Sequence, residues 1–173
     1  MRTVRVVRRA WVARDRRPSP ERRSGRSPAG SVGPRHLRSV PVELRYLYVG
    51  SSDTGRDVEA WLLAPGARLR WRFQHFGADV AAIDLGTRPT VLLADHRPTG
   101  SVLPIYAVDD LDDVIAALAE RGWTVEAQGF GTPEGPAAVL RDPSGTEIAL
   151  LRVDRPMAME AAYASTDNTH AVR

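Results

Sequence analysis

The 173-residue sequence contains no cysteine, no lysine, few aromatic residues and no long apolar run. Each absence removes a class of answer. Without thiols there is no disulfide framework, no thiolate zinc site and no cysteine nucleophile. Without the roughly 18 to 20 consecutive apolar residues that cross a bilayer, no membrane-spanning helix is expected. No Gly-x-Ser-x-Gly elbow occurs, and the serines carry no partnered base. Gly129 and Gly131 in Gln128-Gly129-Phe130-Gly131 make only a weak pair in an expected loop, so no phosphate-cradling glycine loop is visible. All 24 basic residues are arginine, a bias that suits a GC-rich, bacterial coding sequence.

Charge is distributed unevenly. Residues 1–40 hold twelve arginines against Asp15 and Glu21, a balance of +10, which leaves −7 for the other 133 residues. This leader carries Pro18, Pro20, Pro28 and Pro34 and no sustained apolar period. Such a segment buries too little surface to offset its ordering entropy, so disorder is expected. Several readings stay open for it. It suits a basic arm for acidic partners, a transit peptide, or upstream sequence without function. A twin-arginine signal at Arg8-Arg9 lacks an apolar region behind it. Nucleic acid is not the expected partner, because Trp11 is the only aromatic residue available there for stacking bases.

From Val42 onward the pattern is regular. Leu44–Gly50 has strand composition, Ser51-Ser52-Asp53 offers helix-cap chemistry, and Asp57–Leu63 carries helical spacing up to Pro65-Gly66. Strands are expected over 68–73, 78–85 and 90–94. The order then repeats. A strand over 102–108 precedes Asp109-Asp110 and an amphipathic helix closed by Gly122. Three further strands are expected over 123–127, 137–140 and 146–153, with Asp142-Pro143-Ser144-Gly145 as a hairpin turn. The body, residues 41–155, therefore reads as two βαβββ modules at about 42–97 and 101–153, an α+β fold. The tail from residue 156 suits a short helix through Tyr163, with 166–173 loose or covering a neighbouring module in a dimer.

The run Tyr106-Ala107-Val108-Asp109-Asp110-Leu111-Asp112, followed by Gly122-Trp123 and Arg141-Asp142-Pro143-Ser144-Gly145-Thr146, resembles the vicinal oxygen chelate superfamily. This group is also called the glyoxalase, bleomycin-resistance and extradiol-dioxygenase superfamily. The resemblance implies that each module's sheet curls around a cup, and that two modules build one site. It also implies metal ligands at Tyr46, Leu92, Leu103 and Ala149. Three of these side chains are aliphatic, and one phenol makes no site. Glu147 shares a sheet face with Ala149. A rearranged set of Glu147, His75 and His96 is the alternative that would hold a divalent metal; otherwise these three are exposed turn polars.

Strand alternation lines the cup with Tyr46, Tyr48, Leu92, Leu103, Ile105 and Ala149, a surface suited to a planar or apolar small molecule. Arg68, Arg70 and Arg72 alternate with Leu69, Trp71 and Phe73, so the three guanidiniums are expected on one face. There Arg70 and Arg72 can hold an anionic group, or they can mark a solvated sheet edge. The expectation is a metal-independent small-molecule-binding protein, cytoplasmic and homodimeric by analogy, possessing no cofactor. The alternative is a lyase, isomerase or dioxygenase of the same superfamily, with a relocated metal or with Glu147 or a tyrosine as acid–base group.

Overall fold

The computed structural model describes residues 42–75 and 77–172, so the expectations for residues 1–40 lie outside the described residues. Eight strands and three helices run in the order β1 (Glu43–Gly50), α1 (Thr54–Trp61), β2 (Arg68–His75), β3 (Ala78–Asp84), β4 (Thr90–Ala94), β5 (Val102–Val108), α2 (Leu111–Ala119), β6 (Thr124–Gly131), β7 (Pro136–Arg141), β8 (Glu147–Arg152) and α3 (Ala158–Tyr163). The strands form one mixed sheet, ordered β2-β3-β4-β1-β5-β8-β7-β6. Each half is a βαβββ unit whose first and fourth strands pair in parallel, β1 with β4 and β5 with β8. The halves join through antiparallel β1 and β5. The sheet is curled and does not close.

Alternation along the strands separates two faces. On the outer face, Val58 of α1 packs on Ala81, Ile83, Val91 and Leu93. Leu111 and Ile115 of α2 pack on Val108, Ala138, Leu140 and Leu150. The inner face carries one continuous cluster drawn from both halves, including Tyr46, Tyr48, Leu92, Leu103, Ile105 and Ala149. The cup is therefore the shared core of the two units.

Both main helices start at an aspartate. Asp53 Oδ1 accepts from the Arg56 amide at 3.0 Å, and Asp110 Oδ1 accepts from the Asp113 amide at 2.9 Å. The cap at Asp53 starts α1 at Thr54, three residues before the expected Asp57. Replacing either cap by alanine is expected to cost about 1 kcal/mol, measured by urea denaturation. At the Asp142–Thr146 turn, Gly145 takes the left-handed φ of 92° that a side chain disfavours. The Thr146 amide there donates to Asp142 Oδ1 at 2.7 Å.

Two expectations are corrected. The run from Gln128 to Gly131 is the second half of β6, which tolerates its glycines by bulging at Val125/Ala127 and Gln128/Phe130. The end of the chain is not loose, at least through Val172. The Gln74 amide donates to the His170 carbonyl, the Val172 amide donates to the Arg72 carbonyl, and Ala171 bridges Phe73, so the tail covers the β2 edge.

Candidate functional site

The cup brings together six of the sequence-predicted residues: Tyr46, Tyr48, Leu92, Leu103, Ile105 and Ala149, all buried in the inner cluster. Tyr46, Leu92, Leu103 and Ala149 converge here, at the positions where the resemblance implies metal ligands. They offer a single oxygen, the Tyr46 hydroxyl, which donates to Glu134 Oε2 at 2.9 Å. That donor set does not fit a divalent cation. The alternative set is not assembled either. His75 lies against His170 with tilted rings and centroids 3.7 Å apart, His96 lies beside Tyr48, and Glu147 pairs with Arg141 at 2.6 Å. Among the described residues no group of three His, Asp or Glu side chains is placed to hold a metal.

The three-arginine face does not form. A bulge in β2 between Leu69 and Trp71 breaks alternation at Arg70. Arg70 therefore joins Trp71 on the inner side, where it meets Asp84 at 3.5 Å and Glu160 at 3.1 Å. Arg72 stays on the outer side beside Gly55 of α1, its guanidinium bound by two hydrogen bonds to Asp79 at 2.9 and 2.6 Å. That pairing raises the Arg72 pKa, chiefly through the Asp79 hydrogen bond, and leaves no donor fork for a ligand in the cup.

A second bulge, in β1 between Leu44 and Tyr46, lets Arg45 reach the same carboxylate as Tyr46. Glu134, in the turn between β6 and β7, is only 1% exposed, and Arg45 is 7% exposed. Two parallel hydrogen bonds of 2.8 and 2.7 Å join them across 89 residues of chain. Gly135 makes the turn possible, because a Cβ there would collide with the Arg152 carbonyl. The Glu134 hydrogen bond raises the Arg45 pKa despite the opposing effect of burial. Burial, then the Glu134 charge, pushes the Tyr46 phenol up to about 12.

This shift has a defined sign. Between pH 10 and about 12 the unfolded chain has released the Tyr46 proton while the folded chain retains it. The stability it contributes, up to about 3 kcal/mol, is therefore complete below pH 10 and lost as pH rises through that window. Tyr46→Phe is expected to remove this alkaline decline, read as stability against pH in urea denaturation.

At the other end of the cup, Tyr48 Oη lies 2.7 Å from His96 Nε2. The His96 side chain is 4% exposed, which corrects its reading as an exposed turn polar. Burial lowers its pKa despite Asp95 nearby, so the ring is neutral at neutral pH. Arg97 lies over the Tyr48 ring at 5.5 Å and 3.9 Å from Glu147. Burial lowers the Arg97 pKa. Glu147 is half-buried and engaged by two arginines, Arg141 and Arg97.

Sequence reasoning missed Arg45, Glu134 and Arg97; it expected the short helix α3 through Tyr163 but not its place against the cup. Met159 is buried in the inner cluster, and Tyr163 packs against it. Beside α3 a cleft of about 220 Å³ remains, lined by Arg45, Tyr46, Arg70, Trp71, Glu134 and Met159 among others. Under Tyr163 is a hollow of about 10 Å³ against Tyr48, Trp71, Phe73, Leu92 and His96, room for roughly one water molecule.

No protein-family model and no curated protein matches the chain. Solved structures do. A methylmalonyl-CoA epimerase of Mycobacterium tuberculosis is 17% identical, with TM-score 0.57 over 72% of this chain and 97% of that one. A methylmalonyl-CoA epimerase variant of Streptomyces coelicolor, in complex with 2-nitronate-propionyl-CoA, is 15% identical, with TM-score 0.55 over 65% and 94%. A hypothetical protein of Bacillus halodurans is 10% identical, with TM-score 0.57 over 66% and 96%. These neighbours have the vicinal oxygen chelate fold, and so does this chain.

Proposed function

We propose that the chain binds a small planar organic molecule in the cup between its two halves, without a metal. It holds the ligand rather than transforming it, as the antibiotic-sequestering bleomycin-resistance branch of the superfamily its sequence resembles does. One observation carries the reading. At the four positions where the resemblance implies metal ligands, Tyr46, Leu92, Leu103 and Ala149 present aliphatic carbon and one committed phenol. Flat aromatic surface beside them is plentiful, with Trp71 and Phe73 on β2 5.9 Å apart, and such surface suits a ring. Arg70 at the cleft supplies a charged anchor for an acidic substituent. The test is a calorimetric titration of the purified chain with planar aromatic compounds, neutral and acidic. Saturable heat that Trp71→Ala abolishes is expected; no heat with any of them would overturn the reading.

One observation favours a second reading, acid–base catalysis in the same cup. The Tyr48 hydroxyl on a neutral, buried His96 is a pair able to hold and pass a proton. Structural neighbours with this fold include epimerases. Exchange of a carbon-bound ligand proton with solvent deuterium, lost in Tyr48→Phe, would select this reading over simple sequestration.

A further inference from the structure

Helix α3 reads Ala-Met-Glu-Ala-Ala-Tyr, and the cup treats it as a ligand. Glu160 and Tyr163 lie three positions apart, so they share one helix face. From that face the Glu160 carboxylate meets Arg70 Nε at 3.1 Å. The Tyr163 ring stacks on Phe73 with centroids 4.3 Å apart and planes within 15°, and it leans on Trp71 at 4.8 Å. A carboxylate on an arginine and a flat ring on two aromatic rings are together the outline of an aromatic acid.

The helix is weakly held for an element so deeply seated. It has six residues and no side-chain cap, too short to be stable without its tertiary contacts. Met157 enters it at φ 64°, a left-handed conformation that a non-glycine residue adopts only under constraint. The constraint comes from the Met157 amide, which donates to Glu134 at 3.2 Å. The Arg70–Glu160 pair is about a third exposed on both sides, so salt screens it. The 220 Å³ cleft touches Met157 and Glu160, the small hollow touches Tyr163, and Trp71 lines both. Withdrawal of α3 would join them into one trough, floored by Tyr46, Tyr48, Trp71 and Phe73 with Arg70 at its rim. With α3 seated, the open space falls short of the roughly 300 Å³ at which small-molecule pockets begin.

We infer that α3 is an internal occupant of the ligand trough, in competition with a planar aromatic carboxylate that takes the place of Glu160 on Arg70 and of Tyr163 on Phe73. The inference rests on the proposed planar-ligand site and goes beyond it by naming the acid and by making the tail its gate. Arg70 would distinguish the acid from a neutral ring, and Phe73 with Trp71 would distinguish it from an aliphatic acid. Apparent affinity would be lowered by the fraction of chains whose helix is seated.

The probes are 2-naphthoate and its neutral counterpart, 2-naphthamide, titrated calorimetrically into the full chain and into Tyr163→Ala and Glu160→Gln. Both variants are expected to bind 2-naphthoate about tenfold more tightly than the unsubstituted chain, because a competitor has been weakened. The neutral amide is expected to bind all three chains more weakly than the acid. A second measurement needs no variant. Saturation with 2-naphthoate is expected to speed hydrogen exchange at the Ala161 and Ala164 amides, which donate to the carbonyls of Met157 and Glu160 within the helix. If the unsubstituted chain binds but the variants bind no tighter, or exchange at those amides slows on binding, the gate is refuted while the ligand site stands. If no chain binds either compound, both fall. If only Tyr163→Ala binds, the gate is upheld.

Discussion

Glu134→Ala is expected to cost about 3 to 5 kcal/mol of folding stability, far beyond an ordinary turn substitution. The magnitude follows from what the carboxylate leaves behind. Arg45 is almost wholly buried, and both its contacting nitrogens point at Glu134. Without that partner a guanidinium remains out of water and unpaired, the Tyr46 hydroxyl loses its acceptor, and the Met157 amide loses its own. The pair itself is not a large net source of stability, since desolvation offsets most of its attraction. The double replacement Arg45→Met with Glu134→Leu should therefore cost less than Glu134→Ala alone. Urea denaturation of the single and double variants measures both. A loss below about 1 kcal/mol for Glu134→Ala would mean that water reaches Arg45 and that the cluster is not sealed.

Trp71→Ala is the second large effect, again about 3 to 5 kcal/mol. Trp71 is buried on β2 opposite Ala82, and its ring meets Phe73 and Tyr163. Alanine would leave a void bounded by a strand on one side and a short helix on the other. The sheet cannot collapse into it, because β2 is held by β3 along its length. The helix can, so the loss should be accompanied by faster amide exchange in α3, with β3 and β4 unaffected. Trp71→Phe keeps a ring in the slot and is expected to cost less than half as much. Equal losses for the two variants would place the stabilising contact somewhere other than this aromatic cluster.

Much of the architecture is legible in the residues because it is local. Asp53 and Asp110 announce helix starts, Asp142-Pro143-Ser144-Gly145 announces a turn, and period-two alternation assigns Tyr46, Tyr48, Leu103 and Ile105 to one face. What stayed hidden is of two kinds. Bulges at Leu44/Tyr46 and Leu69/Trp71 move Arg45 and Arg70 inward and separate Arg70 from Arg72. A bulge depends on how a strand fits its neighbour, and alternation counted along one strand does not reveal that. Long-range pairing is the other kind. Glu134, between Pro133 and Gly135, has the look of an exposed turn residue, and only the folded sheet brings it to Arg45. Likewise nothing in Ala158–Tyr163 states which surface those residues cover. Its Met159, Glu160 and Tyr163 acquire meaning only against Trp71, Phe73 and Arg70.

The measurement that bears most directly on the whole account is a titration of 2-naphthoate into chain stripped by a chelator, then into the same chain with divalent manganese, zinc or nickel restored. Saturable binding in the stripped chain, unchanged by any added ion, is the predicted result. Binding that appears only when an ion is returned would contradict the account, because ligand capture would then depend on a cation.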